Sequence, residues 1–158
     1  MRKLFFILII NLLVCTAFSQ KKKEIKKLQI KSTTETVEVN GKLLLDSKTV
    51  FDTNGEVIEE EKYDDEGKLS SKKKYKLDTN GDVIEELEYD LQNKLIQKIT
   101  CKYNFAQKKT EELVFDANNK LVIKHIYTYS NKGLKLSKTT YNGSNKVIAI
   151  KKYTYKYR

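Results

Sequence analysis

Proline is absent from the 158 residues, histidine occurs once and cysteine only twice. Each scarcity removes a class of protein. Without proline, nothing interrupts a ladder of paired strands. A lone histidine, His125, leaves no multi-histidine metal centre and no repeated Ser-His pairing. Of the cysteines, Cys15 lies in an apolar N-terminal leader, so only Cys101 remains once that leader is removed, and a disulfide framework is excluded. Phosphate-binding glycine loops, a nucleophile elbow and Cys/His clusters are missing too. Carboxylates are abundant, but they recur at regular positions instead of forming one distinctive acid/base pair. No catalytic residue, metal or cofactor is expected, and the chain does not read as an enzyme.

Long hydrophobic runs are also lacking. Leu4–Val14 is too short for a typical membrane span. Preceded by Met1-Arg2-Lys3 and followed by Ala17-Phe18-Ser19, it has the parts of a secretory signal peptide. Val14 stands where a lipoprotein signal needs a small residue before Cys15. Residues 1–19 are therefore expected to be a signal peptide cut near Ser19–Gln20, leaving an exported protein, periplasmic or extracellular and not membrane-spanning. Residues 20–36 read as a basic N-terminal segment with a weak first repeat, and 37–158 as a β-repeat domain.

Loss of Arg2 and Lys3 changes the formal charge from +10 to +8 (10 − 2). Such a surface meets anionic lipid, acidic glycan or nucleic acid. Most lysines are interleaved with glutamates. The excess lies at the end, in Lys146, Lys151, Lys152, Lys156 and Arg158, around Tyr153, Tyr155 and Tyr157. Strand alternation sends these tyrosines one way and Lys152, Lys156 and Arg158 the other, which argues against a nucleic-acid partner.

What is present is a repeat. Beyond the leader the aromatics are Phe51, Tyr63, Tyr75, Tyr89, Tyr103, Phe105, Phe115, Tyr127, Tyr129, Tyr141, Tyr153, Tyr155 and Tyr157, all odd-numbered. Chance gives thirteen of one parity with odds of roughly one in 4,000. Units of twelve and fourteen residues alternate, making a 26-residue double repeat from residue 51 to about 154. The fifth position of the units holds Gly41, Gly55, Gly67, Gly81, Asn93, Gln107, Asn119, Gly133 and Asn145, nearly all residues that tolerate a left-handed backbone. This predicts three-residue hairpins, each a type I turn closed by a G1 bulge. Opposed residues are then Tyr63 with Leu69, Tyr89 with Leu95, Phe115 with Leu121 and Tyr141 with Val147, and Glu60–Lys72, Glu86–Lys98 and Glu112–Lys124 on the other face.

The expected fold is all-β: an antiparallel meander of nine or ten strands built from 26-residue double hairpin repeats. It forms either a single curled sheet or an up-and-down barrel-like sheet. One odd face would carry every tyrosine, with Cys101 as a small buried hydrophobe and His125 opposite Glu111. An even face would carry an aliphatic stripe of Ile58, Ile84, Ile96, Val122, Leu136 and Ile148. Asp52-Thr-Asn54-Gly55-Glu56 and Asp78-Thr-Asn80-Gly81-Asp82 look like calcium-loop fragments, but glycine comes fourth where an EF-hand places it sixth, so turn chemistry accounts for them.

Tyr-Asp-x-x-Gly-Lys-Leu, complete in Tyr63–Leu69 and relaxed in Tyr89–Leu95 and Phe115–Leu121, resembles the YD repeat of Rhs-type secreted proteins. It is also similar to the short repeats of MORN-like bacterial antitoxins. The resemblance covers most of residues 37–154 and implies a β-repeat surface protein that binds or encloses partners, with no catalytic residue carried over. The expected role is a binding or scaffold module of the bacterial envelope. Its site is the tyrosine-rich face, in Tyr127, Tyr129, Tyr141, Tyr153, Tyr155 and Tyr157, and its partner a glycan or protein. The alternatives are a periplasmic carrier of a lipid or other amphiphile, with that face lining a cavity, and a sheet that only self-associates as a homo-oligomer.

Overall fold

A computed structural model describes residues 22–157. The proposed signal peptide, residues 1–19, and Arg158 lie outside the described residues. A short helix, α1 (residues 22–28), precedes ten strands. These are β1 (Ser32–Val39), β2 (Lys42–Phe51), β3 (Val57–Tyr63), β4 (Leu69–Leu77), β5 (Val83–Tyr89), β6 (Leu95–Tyr103), β7 (Lys109–Asp116), β8 (Leu121–Tyr129), β9 (Lys135–Asn142) and β10 (Val147–Lys152). They form one antiparallel sheet in sequence order, each strand paired only with its neighbours in sequence. β1 and β10 do not pair, so the sheet is open and the barrel-like alternative is excluded. The segment expected as a weak first repeat contains α1 and the start of β1.

Eight of the hairpins share one turn. Asp64 N–H donates to the Lys68 carbonyl at 2.8 Å and Gly67 N–H to the Asp64 carbonyl at 2.8 Å, and the same bonds recur from Asp52 to Asn142. The residue closing each turn has positive φ: Gly55, Gly67, Gly81, Asn93, Gln107, Asn119, Gly133 and Asn145. The opening side chain completes the turn. Asp64 Oδ1 accepts the N–H groups of Glu66 and Lys68, both at 2.9 Å. Asp52 and Asp78 do the same, so the oxygens that looked like calcium ligands bind turn backbone. The first hairpin differs from expectation. Val39 pairs with Lys42 across Asn40-Gly41, both at positive φ, as a two-residue type I′ turn demands.

A second irregularity follows every three-residue turn. Tyr63 faces Leu69 as expected, but Lys62 then faces Ser71, leaving Ser70 unopposed. The residues skipped in this way are Ile58, Ser70, Ile84, Ile96, Thr110, Val122, Leu136 and Ile148. All six members of the expected even-face stripe are therefore bulge residues, not a face. Each bulge inserts one residue on one side of the hairpin and exchanges odd for even across it. Opposed residues share a face, so Tyr63, Tyr89, Phe115 and Tyr141 lie on a first face and Tyr75, Tyr103, Tyr127 and Tyr129 on a second. The expected pairs shift accordingly. Glu60 opposes Lys73, Glu61 opposes Lys72, Leu87 opposes Lys98, and Leu113 opposes Lys124.

No second layer covers the sheet among the described residues; Ile25, Phe51 and Cys101 are its buried hydrophobics. α1 folds over the β2–β3 turn, where Ile25 and Phe51 line one cleft. A Cβ on Gly55 would stand 2.8 Å from the Lys22 carbonyl oxygen, so the φ of 79° and the helix both require glycine there. Elsewhere the sheet relies on cross-strand ladders. On the first face Lys98 lies 4.9 Å from the centre of the Phe115 ring and Lys124 lies 4.7 Å from that of Tyr141. Contacts of this kind contribute roughly 0.5–1 kcal/mol each at exposed sites.

Candidate binding surface

Strands β8 to β10 gather cations and aromatics on the second face. Tyr127 opposes Lys138, which opposes Lys151, and Tyr129 opposes Lys135. Tyr153 N–H donates to the Leu136 carbonyl at 3.0 Å, carrying the chain past β10 along β9. Lys135 Nζ lies 5.0 Å from the centre of the Tyr127 ring and 5.8 Å from that of Tyr153. Lys138 is 5.7 Å from the Tyr127 ring and Lys151 is 5.4 Å from that of Tyr153. Two rings thus hold three ammonium groups on an open sheet.

The neighbouring tyrosines are tethered by their hydroxyls. Tyr103 donates to the Val83 carbonyl at 3.0 Å, Tyr129 to Lys109 at 2.7 Å and Tyr155 to Lys135 at 2.8 Å. These bonds recur with the 26-residue repeat and fix ring orientation. Tyr127 makes no such bond among the described residues. Burial, and then the Glu112 carboxylate, push its pKa up to about 12, so its hydroxyl is a neutral donor at physiological pH.

Of the six tyrosines expected at the site, Tyr127, Tyr129, Tyr153 and Tyr155 come together. Tyr141 does not. The bulges place it on the first face, against Lys124. Tyr157 is 74% exposed, its ring 5.8 Å from Lys132 Nζ. Parity reasoning missed Lys138, which has an even number yet lies beside Tyr127. Its signal was a break in the repeat: Glu60, Glu86 and Glu112 precede Lys138 at 26-residue intervals.

His125 opposes Glu112, not Glu111, because of the Val122 bulge. Its Nδ1 is 3.0 Å from Thr140 Oγ1 and its Nε2 is 3.8 Å from a Glu112 oxygen. Burial and the Lys138 ammonium lower its pKa, outweighing the pull of Glu112, and keep the ring neutral. Glu112 is instead engaged by Lys109 at 2.8 Å. Cys101 is buried on the same face, and burial pushes its thiol pKa up, which makes it a packing residue.

No protein-family model and no curated relative matches the chain. Among solved structures, S. aureus TarM, crystallised as a point mutant in complex with fondaparinux, α-GlcNAc-glycerol and UDP, is similar at 19% identity and a TM-score of 0.33. That match covers 87% of this chain and 23% of TarM, so the chain spans about a quarter of its length. A protein of unknown function from Bacteroides fragilis NCTC 9343 is similar at 16% identity and a TM-score of 0.40, over 80% of this chain and 96% of that one.

Proposed function

We propose that this is an exported, non-catalytic β-repeat protein of the bacterial envelope, akin to YD-repeat proteins, whose second face binds an acidic glycan. The supporting observation is the Lys135 ammonium set between the Tyr127 and Tyr153 rings, flanked by Lys138 and Lys151. Aromatic rings offer faces for sugars, and the ammonium groups meet carboxylates on them. The tethered Tyr129 and Tyr155 hold the border of the patch in place, and the Tyr127 hydroxyl supplies a free donor. Because the sheet is open, the patch is a surface reached from one side, which suits a polymer better than an enclosed amphiphile.

The test is calorimetric titration with a uronic-acid polymer and with neutral dextran. The wild type binds the acidic polymer in a salt-sensitive way, replacement of Tyr127 and Tyr153 by Ser abolishes that binding, and Tyr141→Ser, on the opposite face, leaves it intact. Equal affinity for dextran, or loss with Tyr141→Ser alone, sinks the reading. An intact mass beginning at Gln20 for the protein recovered from the envelope checks the export step.

A further inference from the structure

The two open edges of the sheet match each other. β1 and β10 each pair on one side only. Among the described residues nothing covers the outer edge of β1, because α1 folds over the β2–β3 turn: Lys26 Nζ reaches Asn54 Oδ1 at 3.4 Å, and the Lys22 carbonyl lies against Gly55. The C-terminal segment continues along β9 through the Tyr153 bond to Leu136, so among the described residues the outer edge of β10 is also uncovered. Neither strand contains the proline that commonly blocks an edge. Both expose aliphatic side chains: Val37 and Val39 are 42% and 40% exposed, Ile148 and Ile150 are 54% and 57% exposed. Their charges are opposite. β1 carries Glu35 and Glu38 and no cation, β10 carries Lys151 and Lys152 and no acid.

We infer that β10 of one copy pairs antiparallel with β1 of the next, so that the sheet continues from molecule to molecule. Geometry allows this without turning a face over. In a ten-stranded meander β1 and β10 run in opposite directions, so a second copy placed alongside keeps both the strand alternation and the identity of the two faces. One register sets Lys152 against Thr34 and runs as far as the Ile148 bulge, which ends the regular part of β10. In that register Lys151 opposes Glu35, and Ala149 opposes Val37. Both pairs lie on the second face, since Glu35 opposes Ser47, which opposes Lys62, and Lys151 opposes Lys138. Such an interface uses two different surfaces, so each single contact leaves one edge open at either end, and the assembly grows until it closes into a ring or continues as a filament.

Sedimentation velocity across a concentration series, on protein whose N-terminus is defined by intact mass, reads the proposal directly. The wild type gives a ladder of dimer, trimer and longer species that shortens in high salt. Glu35→Lys, at the opposite edge of its own molecule from the tyrosine patch, sets like charges opposite each other across the contact and weakens association by about fivefold or more. Lys151→Glu does the same from the other edge, and the double variant Glu35→Lys/Lys151→Glu recovers the ladder. Should either single variant fail to fold by circular dichroism, the other and the double variant carry the same comparison. A monomer throughout the series overturns the inference, as does one closed dimer that neither substitution disturbs.

Discussion

Tyr75 and Tyr127 occupy the same position of the repeat, two 26-residue units apart and on the same face, yet their surroundings carry opposite charge. Tyr75 donates its hydroxyl to Glu60 at 2.9 Å, opposes Glu86, and has Lys73 held by Glu86 at 2.7 Å and Glu88 at 4.0 Å. At Tyr127 the residue equivalent to Glu86 is Lys138, and the one equivalent to Lys73 is the neutral His125. Lys109 occupies the remaining carboxylate, Glu112. The N-terminal site is therefore closed upon itself by protein partners. Its C-terminal counterpart has the equivalent strands and ring, but Lys135, Lys138 and Lys151 form no ion pair with a carboxylate among the described residues. A repeat scaffold can keep its hydrogen-bonded frame while a few side chains turn one copy from an internally paired cluster into an exposed cationic and aromatic one.

Breaking the hydroxyl bonds should separate the two sites most. Tyr75→Phe loses a bond to a charged acceptor and is expected to lower stability by about 1.5 kcal/mol. Tyr127→Phe loses no protein partner and should stay within about 0.5 kcal/mol of the wild type. Urea midpoints at pH 7 decide this; equal losses would mean that Tyr127 is tethered as tightly as Tyr75.

Converting one site into the other comes next. Lys138→Glu restores the carboxylate found at the other repeats, and binding of a uronic-acid polymer should fall about tenfold, some 1.4 kcal/mol, with the fold intact. Unchanged affinity would remove Lys138 from the site and weaken the contrast on which the functional reading rests.

The hairpins were legible in the sequence because each turn depends on local chemistry: Asp, Asn or Ser to accept turn N–H groups, then Gly or Asn where φ is positive. Even Gln107, an exception to that preference, adopts the required φ of 55°. Faces were not legible in the same way. A bulge leaves no residue-type signature of its own, since Ile84 and Thr110 fill equivalent bulges, and a single skipped residue reverses parity without changing the repeat period. The shared odd numbering of the aromatics was thus a true signal of periodicity, misread as one of sidedness. For that reason Tyr141 was expected on the face of Tyr127 and Tyr153, where it does not lie, and Lys138, which does lie there, was not expected.

Alkaline conditions sharpen the comparison further. An unfolded tyrosine ionises near 10, whereas Tyr127 holds its proton to about 12 and Tyr75, through burial and then Glu60, holds it higher still. Between those values the folded chain binds more protons than the unfolded one, so stability is complete below pH 10 and falls as pH rises. For the partly exposed Tyr127 the loss should be about 1 kcal/mol after solvent screening. Unfolding free energies from pH 9 to 12 should fall less steeply in Tyr127→Phe than in the wild type, and parallel curves would refute the shift.

The smallest effect belongs to His125, which replaces the permanently charged Lys73 of the other site. Its folded pKa lies below the ordinary 6.5 because burial, and then Lys138, disfavour the imidazolium. An unfolded ring takes up a proton as pH drops through 6.5 while the folded ring resists, so the contribution is present above that value and is lost toward the folded pKa. On a half-buried ring this amounts to a few tenths of a kcal/mol. As the sole histidine, His125 gives a single imidazole Cε1–H resonance, and its titration by NMR reads the pKa directly. A value below 6.5 that rises in Lys138→Glu would tie the ring to the same substitution that distinguishes the two tyrosine sites. A value at or above 6.5 would mean that Glu112 governs the ring and that the C-terminal site is less cationic than its lysines suggest.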